Sequence, residues 1–176
     1  MIITISGEAG SGKTTVGKLI AKFLGYNFYS MGDLRGKMAT ERGMTIDELN
    51  KLGEKEGWTD KQVDDYQKEL GEKEDNFVIE GRLSWNFIPH SKKIFLYVNP
   101  EVGAWRIFLE PRKDEKKVKT IEEMVMYISQ RRKSDIKRYQ KYYRINPYNQ
   151  KNYDLVIDTS LKNPEEVRKE ILKKVV

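Results

Sequence analysis

Cysteine is absent from the 176 residues. A disulfide framework and a thiolate metal site are therefore excluded, and a reducing, cytoplasmic setting is expected. His90 is the only histidine, so no triad built on histidine and no multi-histidine metal site can form. It sits in the short loop IPHS at 88–91, where a surface position is expected. No apolar run approaches the ~18 residues that would cross a bilayer. The first residues enter a strand-like pattern directly, without the charged, apolar and small-residue regions of a leader, so neither a leader nor a membrane partner is expected. Internal repeats and linkers are also missing, which predicts one domain over residues 1–176.

What is present is a charged, globular composition. Hydrophobic residues make up 38% and charged residues 34% of the chain, with a net charge of +6 and a pI of about 9.3. That balance suits polyanionic partners, either nucleic acid or small phosphorylated compounds. Five short apolar runs read as strands: 2–6 (IITIS), 27–30 (NFYS), 77–80 (FVIE), 94–98 (IFLYV) and 155–157 (LVI). Their apolar character on both faces, with helical stretches between them, predicts an α/β fold whose parallel sheet is covered by helices on both sides. Val16, Leu19, Ile20, Phe23 and Leu24 recur at helical spacing, and Gly25 closes that helix. Asn99 and Asn163, each followed by proline and glutamate, mark two helix starts. Thr45, Thr59 and Thr120 each precede Glu or Gln by three residues, the spacing of a capping box. Residues 112–119 have Val118 as their sole apolar residue and are expected to be mobile.

The most specific motif is GEAGSGKT at residues 7–14, lying between the first strand and an amphipathic helix. It satisfies G-x-x-x-x-G-K-[ST] in the required strand–loop–helix context. Its glycines let several backbone N–H groups turn inward as an anion nest, at the positive end of a helix dipole. Gly7, Glu8, Ala9, Gly10, Ser11, Gly12, Lys13, Thr14 and Thr15 are thus the expected ATP-binding residues. Lys13 would reach the β- and γ-phosphates, and the Thr14 hydroxyl would ligate Mg2+. The acid that commonly ends an apolar strand in such proteins is Asp; the nearest match here ends in Glu80. No Asn-Lys-x-Asp guanine reader occurs, and the chain is short for a helicase or transport motor.

Arginines follow the strands. Arg35 comes after the second, Arg82 after the third and Arg106 after the fourth. Strand ends of a parallel sheet converge on one edge, which brings Arg35 and Arg82 towards Lys13. The helix from Ile121 adds Arg131, Arg132 and Arg138, with Asp135 on the face shared by Arg131 and Arg138. Arginine forks suit a transfer between two phosphates; the plainer reading of the last three is a solvated helix surface.

The order of segments resembles the nucleoside monophosphate kinases, and most closely the archaeal-type cytidylate (CMP/dCMP) kinases. The resemblance rests on the phosphate loop, Ser30-Met31-Gly32-Asp33, Val78-Ile79-Glu80-Gly81-Arg82-Leu83, the arginine-bearing helix and Tyr153-Asp154-Leu155-Val156-Ile157-Asp158-Thr159-Ser160. It implies an adenylate-kinase-like five-stranded sheet with a helical monophosphate-binding insertion (about 33–75) and a lid (about 111–147). It also implies the reaction ATP + CMP ⇌ ADP + CDP with Mg2+, and a protein acting as a monomer. By the same resemblance Asp33 orders the water shell of the metal and lies near the acceptor. Gly81 and Arg82 hold the acceptor phosphate, while Lys13, Arg106, Arg131, Arg132 and Arg138, with Arg112, close over the transferring group. Many relatives carry an arginine three residues after the Gly-Asp aspartate; here Gly36 stands there, leaving Arg35 or Lys37 as the acceptor ligand.

Two alternatives compete. One is a monophosphate kinase for another base, AMP or UMP. Asp64, Asp65 and Gln67 could bond a cytosine edge, against the plainer reading of an exposed polar helix face. The other is an ATP-switched RNA-associated protein, favoured by the cluster Arg138, Tyr139, Lys141, Tyr142, Tyr143 and Arg144. Against it stands the expectation that these tyrosines pack and the lysines are solvated, leaving no stable nucleic-acid partner. The tryptophans Trp58, Trp85 and Trp105 are expected to pack in the core or the insertion.

Overall fold

The computed structural model describes residues 1–111 and 118–175; Arg112 and most of the charged stretch expected to be mobile lie outside the described residues. Five parallel strands form one sheet in the order β2-β3-β1-β4-β5. They are β1 (Ile2–Gly7), β2 (Asn27–Ser30), β3 (Phe77–Glu80), β4 (Lys92–Tyr97) and β5 (Leu155–Asp158). β4 starts two residues before the predicted run, at Lys92 and Lys93, because these lysines pair with Ile3 and Thr4 of β1. The helices are α1 (Lys13–Leu24), α2 (Met31–Glu41), α3 (Ile46–Gly53), α4 (Trp58–Lys73), α5 (Ser84–Phe87), α6 (Pro100–Leu109), α7 (Ile121–Tyr143) and α8 (Pro164–Val175).

Alternation along the central strands divides the core. Ile3 and Ile5 of β1 and Val78 of β3 face a layer with Val16 and Ile20 of α1 and Val167 and Ile171 of α8. Ile2, Phe77 and Ile79 face the other way, against Met38, Leu49, Val63 and Leu70 of α2–α4. Every residue of β1 and β3 is buried, whereas the edge strands β2 and β5 are partly exposed. Two polar residues of β1 are used on the second face. Thr4 shares a 3.0 Å hydrogen bond with Ser91, and the Ser6 hydroxyl donates to the carbonyls of Gly81 and Arg82. Phe23, one of the apolar residues at helical spacing in α1, is exposed, with the Arg168 guanidinium stacked over its ring.

Helix starts follow the sequence signals at Thr45, Thr120, Asn99 and Asn163, whose side chains cap their helices. Thr59 does not cap. α4 begins one residue earlier, and the Thr59 hydroxyl donates back to the Glu56 carbonyl inside the first turn.

Chain crossings reverse direction beside β1, so the loops after β1 and β3 leave neighbouring strand ends. The loop after β1 is braced by α6. Gly10 has φ of 75°, and a Cβ there would stand 2.3 Å from the Gly103 carbonyl oxygen; a Cβ on Gly103 would stand 2.5 Å from that of Ala9. Both positions must lack a side chain for helix and loop to touch. Gly103→Ala should therefore force the loop off α6, destabilising the fold by about 1–3 kcal/mol. The loss of triphosphate affinity should exceed what that shift in melting temperature explains, as titration calorimetry beside thermal unfolding would measure.

Candidate active site

The phosphate loop supplies a prepared anion cradle. Gly12 takes φ of 82° as the N-cap of α1, which turns the first free N–H groups of that helix towards the loop. The Lys13 ammonium lies inside the loop and donates to the Glu8 carbonyl at 2.6 Å, and the Ser11 hydroxyl donates to the same carbonyl at 2.8 Å. Burial and the Arg82 charge push Lys13 down from 10.5 to about 7, against the opposing pull of Glu80. Glu80, at the end of β3, accepts from the hydroxyls of Thr14 (2.8 Å) and Ser30 (2.7 Å) through one oxygen. This places hard oxygen donors from three elements together, a donor set that suits Mg2+ with most of its shell left to water and phosphate. No group of three or more acidic, histidine or cysteine side chains that could cage a metal occurs among the described residues.

A cavity of about 650 Å³ runs from residues 9–16 of this loop to a wall built by α2, α3, α4 and α7. Three arginines in that wall alternate with two aspartates. Arg82 Nε donates to Asp135 at 3.0 Å and its Nη1 to the Gly7 carbonyl, which anchors it beside the phosphate loop. Asp135 also accepts from Arg138 (3.1 Å) and from the Tyr148 hydroxyl (2.8 Å). Arg138 Nε lies 3.1 Å from Asp60, which accepts from Arg35 at 3.0 Å. Arg35 donates further to Asn50 (2.7 Å) and to the Thr59 carbonyl (2.9 Å). Burial opposes the charge on Asp135, yet Arg82, Arg138 and Arg131 hold its carboxyl below the ordinary value. Among the described residues Arg35 Nη2 and Arg138 Nη1 are buried N–H groups without a hydrogen-bond partner.

The predicted residues thus separate into two groups. Residues 9–15 of the loop, Arg35, Gly81, Arg82, Arg106, Arg131 and Arg138 line the cavity. Gly7, Glu8, Asp33 and Arg132 do not. Arg132 grips Glu8 at 3.3 Å and stacks on Tyr148, bracing the loop from outside. Asp33 is exposed on the first turn of α2, its N–H donating to Ser30. Arg106 donates to the carbonyls of Gly10 (3.2 Å) and Thr159 (2.8 Å), which ties the loop to the end of β5. Between the two candidates for the acceptor ligand, Arg35 is buried in the wall, whereas Lys37 is exposed beside Glu41.

Some side chains lie deeper than the sequence reading placed them. Asp64 and Gln67 are buried in the cavity wall rather than on an exposed polar face; only Asp65 is exposed, paired with Lys61. The signal was the spacing 60, 63, 64, 67, 70, an inward stripe in which polar residues stand where apolar ones are usual. Arg138 is likewise fully buried, so α7 is not a solvated surface along this stripe. The basic aromatic cluster does not form an outward platform. Tyr139 is buried, Tyr142 and Tyr143 are half-buried, and Lys141 donates to the Glu54 carbonyl. Trp58 and Trp105 are exposed rather than packed, whereas Trp85 packs edge-on against Tyr153 and His90 is exposed as expected.

Comparison with known sequences decides the family. Residues 2–161 match the profile of the cytidylate kinase-like family. The chain belongs to that family. It is 38% identical to a cytidylate kinase of Archaeoglobus fulgidus, over 99% of this chain and 94% of that protein. It is 35% identical to one of Methanobrevibacter smithii, over 98% and 96%. Solved structures extend the likeness in fold only. An uncharacterised protein from Eubacterium ventriosum superposes with a TM-score of 0.74 at 17% identity, covering 99% and 98% of the two chains. Shikimate kinase from Bacteroides thetaiotaomicron gives 0.67 at 20% identity, covering 98% and 97%. No helix among the described residues of this cytidylate kinase-like chain is long and apolar enough to cross a membrane.

The lowered Lys13 value has a measurable sign. Above about pH 7 the free site holds a neutral amine, and bound phosphate favours the ammonium, so the complex takes up a proton. Triphosphate binding near pH 8 should take up close to one proton, falling towards none below about pH 6, as calorimetry in buffers of different ionisation enthalpy would measure. Affinity should weaken as pH rises above 7. In the unfolded chain the same lysine stays charged up to about 10.5, so its contribution to fold stability should rise, not fall, across that interval.

Proposed function

We propose that this protein transfers the γ-phosphoryl group of ATP to CMP or dCMP, giving ADP and the corresponding diphosphate. The observation that carries this reading is the unpartnered guanidinium N–H groups of Arg35 and Arg138 in the cavity that opens onto the phosphate loop. Four guanidinium groups (Arg35, Arg82, Arg131 and Arg138) facing three aspartates (Asp60, Asp64 and Asp135) leave net positive charge in that wall, which a phosphate monoester would neutralise. Membership of the cytidylate kinase-like family supports a nucleoside monophosphate as the bearer of that phosphate.

In this reading Gly7 to Thr15 and the Lys13 ammonium hold the triphosphate. Arg82, anchored by Asp135 beside Gly7, holds the acceptor phosphate against it, with Gly81 allowing close approach. Arg131 and Arg138 reach the same wall from α7. The insertion at about 33–75 carries the acceptor site, and the segment at about 111–147 acts as the lid. Mg2+ would be held by Thr14 and, through water, by Glu80, with Asp33 at the edge of that shell; when bound it screens the phosphate charge. No general base is required, because the attacking atom is already an anionic phosphate oxygen. Catalysis is alignment and charge screening. Arg106 and Arg132 act by holding the loop in shape.

An ADP-release assay across CMP, dCMP, UMP, AMP and GMP should give the highest kcat/KM with CMP or dCMP. Turnover of AMP tenfold above CMP would overturn the substrate assignment. Arg35→Ala, paired with Arg82→Ala, should weaken monophosphate use by about two orders of magnitude while changing the KM for ATP much less. Steady-state kinetics with each substrate varied in turn would measure this.

A further inference from the structure

Asp64 and Gln67 are carried by α4, facing the cavity from the insertion side, and neither is explained by holding phosphate. Both are at most 5% exposed. The Ser84 hydroxyl donates to Gln67 Oε1 at 2.6 Å, so the carboxamide is fixed with its nitrogen towards Asp64. Gln67 Nε2 donates one proton to Asp64 Oδ1 at 3.3 Å, which leaves its second amide proton to give. Asp64 Oδ2 accepts from the Tyr143 hydroxyl. Among the described residues no salt bridge reaches Asp64; Arg35 is turned to Asp60 and Asn50. A buried carboxylate without a bonded cation is costly, and it retains lone pairs for a donor.

We infer that Asp64 and Gln67 read the base of the acceptor, Asp64 accepting from an exocyclic amino group and Gln67 donating to the adjacent ring nitrogen. The assignment rests on the monophosphate-kinase reading above. Cytosine presents this donor and acceptor at N4 and N3. Uracil presents the opposite pair, O4 and N3–H, so both contacts become like against like. Adenine carries the cytosine-like pair at N6 and N1, so these two residues separate amino from oxo bases and leave ring size to the cavity wall.

Surroundings set a pH signature. Burial pushes Asp64 up to about 7, with Asp60 adding to the rise and Tyr143, Arg35 and Lys68 opposing it. Below that value the carboxyl carries a proton and can donate to uracil O4. Ionisation of the phosphate is common to CMP and UMP and cancels in their ratio.

The experiment is kcat/KM for CMP and UMP in the wild type and in Asp64→Asn and Gln67→Leu, with unfolding followed by circular dichroism. Asp64→Asn should lower the CMP-to-UMP ratio at least about tenfold, with the KM for ATP within about twofold. An unchanged ratio, with both substrates falling together, would overturn the pair as a base reader. Where a variant fails to fold, the wild-type ratio at about pH 8 against about pH 6 decides. It should narrow by at least about threefold on acidification, and a constant ratio would overturn the inference. A wild-type chain that turns over no monophosphate would instead overturn the kinase reading itself, together with this assignment. A preference for CMP that survives in Asp64→Asn would remove the base-reading pair alone.

Discussion

The row of alternating charges Arg82, Asp135, Arg138, Asp60 and Arg35 joins the loop after β3 to α7, α4 and α2. Each member also lines the cavity, so the row keeps that wall polar and charged. Buried ion pairs contribute little net stability, but deleting one partner costs about 3–5 kcal/mol, since the other is left charged and dry. The row is therefore a constraint on shape more than a source of stability. It fixes how far α4 and α7 stand from the sheet edge, and so fixes the width of the cavity. It also leaves cationic hydrogen-bond donors unsatisfied, which ties the comfort of the fold to the presence of an anion.

The phosphate loop is governed from outside in the same way. Its own glycines permit the curl, but contacts from distant elements select it. Gly103 presses against it from α6, Arg106 holds the Gly10 carbonyl, Arg132 holds the Glu8 carboxylate, and Glu80 holds the Thr14 hydroxyl. Arg106 and Arg132 were grouped with the transferring phosphoryl on resemblance. In the structure both hydrogen-bond to the loop or its neighbours, which is the ground for proposing that they hold the loop in shape.

Most of the architecture was legible in the sequence because strands buried on both faces write an unambiguous signal. β1 and β3 are buried at every position, Ile2, Ile3, Ile5, Phe77, Val78 and Ile79 give the apolar signal, and a glycine closes β1 and follows β3. The capping signals at Thr45, Thr120, Asn99 and Asn163 were equally plain, since they depend on residues within three positions of one another. Thr59 misled because its hydroxyl bonds within a turn that had already begun. The polar wall of the cavity was harder to see. Asp60, Asp64, Gln67, Asp135 and Arg138 are polar residues at core positions, and a polar stripe on a helix reads as solvent-facing unless its partners are known. Those partners come from other helices, beyond the reach of local periodicity. Local sequence likewise could not tell that α2 turns Arg35 inward and Lys37 out.

One tie has a consequence for how the chain comes into being. Thr159 donates its hydroxyl to the Ser11 carbonyl across 148 positions of sequence, at 3.2 Å, and Arg106 spans the same gap from Gly10 to Thr159. The glycine loop therefore depends for its shape on a residue that lies 148 positions further along the chain. During synthesis the N-terminal glycine loop has its local sequence but not its braces, and it acquires them only when β5 docks at the far edge of the sheet. Nucleotide would bind the molecule with β5 docked in strong preference to one without it, and so would act as a ligand that rewards that docking.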